Sequence, residues 1–321
     1  MLFKAIVIFF GCLLTTLLVY PVLIPFLQRI KYGQSVSEYS LDDYKQKEGT
    51  PTMGGLAFLL IPVLFLLIID PEFSRDTSLI LIVMAYLGYG LIGFVDDYII
   101  VIRHNNAGLP AWIKFALQAF LSIIFYLIYQ NNSFSTISLP FTDLVVNLGW
   151  LYIILVFIMF TGSSNAVNIT DGMDGLAAGT CFFALIPFIL FAWQNELPYI
   201  ALFILGVLGS LLGYLKYNLH PARIFMGDTG SLALGGLLAA LAFVLKQEIA
   251  LIFIGGVFVY ETLCVILQIG SVKIRKKKIF KYTPIHYSFV INGMNEVNVV
   301  KMFWMMGFCC MVIGLMIGVL G

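Results

Sequence analysis

The chain has 321 residues, of which 61% are hydrophobic and 11% charged, and its net charge is +1. An ordinary soluble domain carries about 25% charged residues, so a water-soluble globule is excluded and the bilayer is the expected solvent. The charge balance offers no basic excess with which to argue for nucleic acid, and no nucleic-acid partner is expected.

Taken in chain order, apolar stretches long enough to cross a bilayer fall at 2–28, 53–70, 78–97, 112–130, 145–162, 175–193, 198–217, 230–246, 249–271 and 301–320. The first lacks a small-residue cleavage site before Pro21 and Pro25 and reads as a retained helix. The expectation is an all-α integral membrane protein: one polytopic domain over 1–321 with ten transmembrane helices. Cys12, Cys181, Cys264, Cys309 and Cys310 all lie in apolar stretches without metal-binding spacing and read as packing residues.

Orientation follows from Lys and Arg. With ten spans, fifteen of the 18 basic residues share one side, and only Lys4, Arg75 and Lys246 fall on the other. The basic side is cytoplasmic and both termini face outward. That side also carries GTPTMGG at 49–55, Asp96–Asp97, NAVNITDGMDG at 165–175, FMGDTGS at 225–231 and PIH at 284–286. The expected working cleft is therefore cytoplasmic.

Asp96 and Asp97 stand together at the end of the third span. Acids are costly beside lipid and are misplaced at a helix C-terminus, so a bound cation accounts for them better than a solvated helix end. Asp228 lies between Gly227 and Gly230 in a segment that also reads as a helix N-cap. Three carboxylates on one side suit Mg²⁺, which takes one or two carboxylates plus phosphate oxygens. Asn165, Asn168, Asp171 and Asp174 recur every three residues. That spacing gives a polar stripe if helical, or two Asp-Gly turns if not. Lys47, Lys114 and Arg223 are candidate phosphate contacts, with Thr50 and Thr52 beside Lys47. Lys273–Lys281 reads as an anchor to anionic membrane lipids. Glu261 and Gln268, seven apart, share a face of the ninth span, where a buried Glu signals function. No Walker A, GxGxxG or GxSxG element occurs.

These motifs, together with QEIALIFIGGVFVYETLCVILQ at 247–268, resemble the phospho-N-acetylmuramoyl-pentapeptide transferase family of polyprenyl-phosphate N-acetylhexosamine-1-phosphate transferases. The resemblance runs through nearly the whole chain. It implies a bacterial plasma-membrane enzyme, usually dimeric, that moves phospho-MurNAc-pentapeptide from its UDP conjugate to undecaprenyl phosphate, giving lipid I and UMP. It makes Asp96, Asp97, Asp228 and His286 catalytic, with Asp228 on Mg²⁺; the need to bring two anions together adds Asp97 to the metal. Lys47, Thr52, Lys114, Asn168, Asp171, Asp174, Phe225 and Gln268 become substrate-side positions. One departure is plain: the family usually carries three consecutive histidines after Pro-Ile, and here the run is His286-Tyr287-Ser288.

Attack by a lipid phosphate needs little base catalysis, because a phosphate monoester with a second pKa near 6 is about 90% dianionic at pH 7. Bringing two anions together is the larger obstacle and calls for Mg²⁺ with Lys or Arg. Asp96 is accordingly assigned to orienting or deprotonating the lipid phosphate, and an aspartyl-phosphate intermediate stays open. The competing readings are a sister transferase using UDP-N-acetylglucosamine and a transporter with Asp96, Asp97 and Glu261 in an ion path. The transporter expects acids at the bilayer midplane, against their position at one edge.

Overall fold

The computed structural model describes residues 1–30, 49–103, 108–130 and 135–321. Among these, nine helices are long and apolar enough to cross a membrane. They are α1 (Leu2–Ile30), α3 (Thr77–Arg103), α4 (Ala111–Tyr129), α5 (Tyr152–Thr170), α6 (Leu176–Gln194), α7 (Pro198–Asn218), α8 (Gly227–Val244), α10 (Gly256–Arg275) and α12 (Glu296–Leu320). The second expected span is the shorter α2 (Gly55–Ile69). Its 15 residues reach about 22 Å at about 1.5 Å per residue, short of a hydrocarbon core about 30 Å thick.

Three expectations need correction. The ninth span is not continuous: α9 (Glu248–Ile254) stops at Gly255 and α10 starts at Gly256, at a pair of glycines whose backbone freedom weakens a helix. The fifth span does not begin at 145. Residues 145–147 form β2 and pair antiparallel with β1 (Thr136–Ser138), so the fold is not purely helical. The third span continues to Arg103, which places Asp96 and Asp97 inside α3 rather than at its end.

The bundle is organised around α8, in which every residue from Thr229 to Phe243 is buried. A helix apolar on all sides belongs in the centre, and α3 and α5 pack most extensively against this one. The approach is close: a Cβ on Gly93 would stand 2.0 Å from the carbonyl oxygen of Asp228. Small residues at such crossings let backbones meet where lipid supplies no hydrophobic drive. By contrast α1, α4, α10 and α12 present large exposed apolar side chains, among them Phe10, Phe120, Ile266 and Met305. At one end of the bundle Tyr152 donates to Glu248 and Lys4 pairs with Asp70. The other end collects the start of α2, the C-terminal parts of α3, α5 and α7, and the starts of α4, α6 and α8. The GTPTMGG, Asp96–Asp97, NAVNITDGMDG, FMGDTGS and PIH motifs lie there, whereas the 247–268 segment starts at the opposite end with Glu248. A short helix, α11 (Ile285–Ile291), closes over that end between α10 and α12.

Candidate active site

Adjacent residues on an α-helix point about 100° apart, and Asp96 and Asp97 use that divergence to serve different partners. Both are buried. Asp96 Oδ1 accepts from the backbone N–H of Leu109 at 2.8 Å and lies 3.1 Å from Lys114 Nζ, at the start of α4. Asp97 turns to α8. Its Oδ1 accepts from Asp228 N–H at 3.1 Å, and its Oδ2 accepts from Thr229 N–H at 2.9 Å and Thr229 Oγ1 at 2.6 Å. The first N–H groups of a helix have no partner within it. Here a carboxylate from another helix takes two of them.

With its helix end capped from elsewhere, Asp228 has its own side chain free for the cleft. Its Oδ2 is 2.5 Å from Lys114 Nζ, and its Oδ1 accepts from Asn168 Nδ2 at 2.7 Å. Lys114 thus bridges Asp96 and Asp228. Asn168 also donates to Ser231 Oγ at 2.9 Å, while Asn165 turns away to Gln118. The polar stripe is half helical: α5 ends at Thr170, and Asp171 and Asp174 sit in the turns that follow. Burial, with the negative charges of Asp228, Asp97 and Asp174, pushes the Asp171 carboxyl well above its usual range. Asp171 therefore belongs electrostatically to the same acid cluster.

The GTPTMGG segment is stitched to FMGDTGS by backbone. Phe225 N–H donates to Pro51 O, Gly54 N–H to Phe225 O, and Gly55 N–H to Met226 O, at 2.8 to 2.9 Å. This brings Thr52 to the cluster. A Cβ on Gly227, whose φ is +72°, would lie 2.4 Å from Asp97 Oδ2 and 2.6 Å from Thr52 Oγ1. Only glycine fits that backbone and that gap.

The profile of Glycosyl transferase family 4 matches residues 79–246, and phospho-N-acetylmuramoyl-pentapeptide-transferase signature 1 matches residues 47–59. The chain is 45% identical over 308 residues to the phospho-N-acetylmuramoyl-pentapeptide-transferase of Bacillus subtilis (strain 168), covering 95% of each chain. It is 46% identical over 296 residues to that of Halalkalibacterium halodurans, covering 91% of this chain and 90% of the relative. For Geobacillus sp. (strain WCH70) the identity is 45% over 310 residues, with 95% of each covered. The chain belongs to the phospho-N-acetylmuramoyl-pentapeptide-transferase family.

The remaining positions suggested by the transferase family divide into two groups. Asp174 and His286 border the cluster. Asp174 Oδ2 accepts from Ala222 N–H and meets His220 Nδ1, each at 3.0 Å, and its N–H donates to Glu296. Asp174, His220 and Glu296 bring ligand-capable atoms within 4.8 Å of one another, a mixed N/O group able to hold a metal. His286 lies on α11 with Nδ1 3.0 Å from Glu261. Gln268, by contrast, is spent on the loop after α10: it accepts from Ile279 and Phe280 N–H and donates to Phe280 O. Lys47 lies outside the described residues. Sequence reasoning missed His220, Glu296 and the Thr229 contact. Proximity of His220 to the FMGDTGS motif was the available signal for one of them; nothing local marked the others.

Asp96 and Asp228 share the ammonium of Lys114, and Asp97 lies beside them on the start of α8. Such a set of hard oxygen donors fits a divalent cation of the Mg²⁺ kind.

Proposed function

We propose that this chain transfers phospho-MurNAc-pentapeptide from UDP-MurNAc-pentapeptide to undecaprenyl phosphate, releasing UMP and giving lipid I for peptidoglycan synthesis. The observation that carries the reading is the buried carboxylate cluster bridged by Lys114 at one end of an otherwise apolar bundle. It stands in a chain alike over 95% of its length to transferases of that name. The reading includes a single domain of ten crossings, α2 counted among them, in the bacterial plasma membrane. Both termini lie outside, the cleft faces the cytoplasm, and the chain works as a homodimer.

An oxygen of the lipid phosphate forms a bond to the sugar-side phosphorus as the bond from that phosphorus to UMP breaks. Asp228, with the remaining lone pair of Asp97 Oδ1, would hold Mg²⁺, which when bound neutralises diphosphate oxygens. Lys114 places a positive charge where an incoming phosphate needs one. Asp96 orients that ammonium and the Leu109 backbone rather than serving as an obligatory base. Asn168 fixes the rotamer of Asp228 through Oδ1. Asp97 acts mainly by setting the start of α8.

The test is a radiolabel transfer assay with purified protein and undecaprenyl phosphate, offering UDP-MurNAc-pentapeptide and UDP-N-acetylglucosamine in parallel. Product should form from the first donor only, and equal turnover of both would sink the assignment.

A further inference from the structure

Glu261 sits in the second turn of α10, fully buried, on a helix whose neighbouring Leu263 and Ile266 are exposed apolar side chains. A carboxylate at such a place costs several kcal/mol unless it is fully used. It is used twice. Oε2 accepts from the backbone N–H of Ile285 at 2.9 Å, and Oε1 lies 3.0 Å from His286 Nδ1, whose ring is also fully buried. Only a carboxylate offers an acceptor on both sides. A glutamine must turn its NH₂ toward one of these two positions.

The far edge of the ring is the informative one. His286 Nε2 is buried and has no hydrogen-bond partner among the described residues. It is aimed at Gly172, where a Cβ would stand 2.3 Å from Nε2 and 2.8 Å from Tyr287 Oη. Gly172 directly follows Asp171, the acid that senses Asp228 and Asp97. The ring is held on its remaining side by Tyr287, with centroids 4.3 Å apart, and Tyr287 Oη donates to Gly172 O at 2.9 Å. A histidine with one nitrogen bound to a buried carboxylate has its tautomer and orientation set by that bond. The other nitrogen is then the one presented to a substrate.

Resting on the transferase reading above, we propose that Glu261 is a positioning residue of the transfer reaction. It fixes His286 with the proton on Nδ1, so that Nε2, facing the Asp171–Gly172 turn, is the nitrogen that takes up a second proton and donates it in a hydrogen bond to the phosphate side of the substrate. Glu261 itself touches no substrate. It also balances the charge of the ring whenever Nε2 carries a proton to an anion, which an apolar surrounding would otherwise oppose.

The chain has 3 histidines, so ring ¹⁵N spectra of histidine-labelled full-length protein in nanodiscs can be assigned by loss of one signal in His286→Asn. The wild-type spectrum is expected to show His286 as a single tautomer protonated at Nδ1. In Glu261→Gln the Nε2-protonated tautomer should appear. With it kcat should fall by at least about a hundredfold, the scale of a lost positioned donor to the reacting phosphoryl oxygens. KM for both substrates should stay within about threefold, as expected when binding is untouched. Glu261→Asp keeps the carboxylate and should restore the Nδ1 tautomer together with part of kcat, even should Glu261→Gln prove poorly folded. An unchanged tautomer in Glu261→Gln, or a raised KM with normal kcat, overturns the positioning role alone. A wild-type protein inert toward UDP-MurNAc-pentapeptide overturns the transferase reading, and the positioning role with it.

Discussion

Asp97→Asn separates the structural duty of Asp97 from that of Asp228. The carboxylate takes three hydrogen bonds from Asp228 and Thr229 at the start of α8. The best asparagine rotamer keeps its carbonyl at the Oδ2 position and turns its NH₂ against the Asp228 N–H. One buried donor is then stranded, at about 1–3 kcal/mol, and two charge-assisted bonds become neutral ones, at roughly 1 kcal/mol each. Relief of repulsion from Asp228 and Asp171 offsets part of this, leaving a net loss of about 2 kcal/mol. Thermal unfolding of purified variants in nanodiscs reads the difference, with transfer activity measured alongside. Asp97→Asn should melt below wild-type and lose activity because the start of α8, and Asp228 with it, shifts. Asp228→Asn relieves repulsion and strands no helix donor, but it gives up the Lys114 ion pair and keeps one acceptor for Lys114 and Asn168; it should melt below wild-type by less than Asp97→Asn does, while abolishing transfer. The reverse order of melting would refute the capping argument.

Three further outcomes are expected. Titrating Mg²⁺ against Asp228→Asn should restore no transfer, and a wild-type magnesium response there would remove Asp228 from the metal. Asp96→Asn should stay impaired at pH 9, since the nucleophile is already about 90% ionised at pH 7; near-complete alkaline rescue would mean that Asp96 is chiefly a base. His286→Ala should cost at least about a hundredfold in rate, roughly 2.7 kcal/mol. Restoring Tyr287→His with Ser288→His should change the rate by less than about tenfold, because Tyr287 bonds Gly172 O and Ser288 closes the loop to Tyr282. A mild alanine phenotype or a large gain from the double variant would place the chemistry elsewhere.

Membrane insertion, most helix positions and the one-sided distribution of Asp, Asn and Gly were legible in the sequence, because lipid leaves few places for polar residues. The acids were readable as a group for the same reason. Their division of labour was not. Nothing near Asp97 in the chain says that it caps a helix starting at Gly227, since the contact joins residues 131 and 132 positions apart. The Gly255–Gly256 break was visible as two glycines but not as a break, because single glycines are tolerated in membrane helices. Glu261 announced itself as a buried charge, yet its partner His286 comes from a different helix, 25 positions further on, and pairing between helices leaves no local pattern. The bonds of Gln268 to Ile279 and Phe280 in the following loop were equally unmarked in the sequence.

The ammonium of Lys114 lies between Asp96 and Asp228 and compensates the same Asp228 carboxylate that, on the function proposed above, holds the metal. Any anion that draws Lys114 aside therefore raises the affinity of these carboxylates for a cation. By thermodynamic reciprocity the cation raises the affinity for that anion by the same factor. On that proposal, metal and phosphate binding are two faces of one exchange equilibrium at a single side chain. Lys114→Gln, which can do neither half of the exchange, uncouples them.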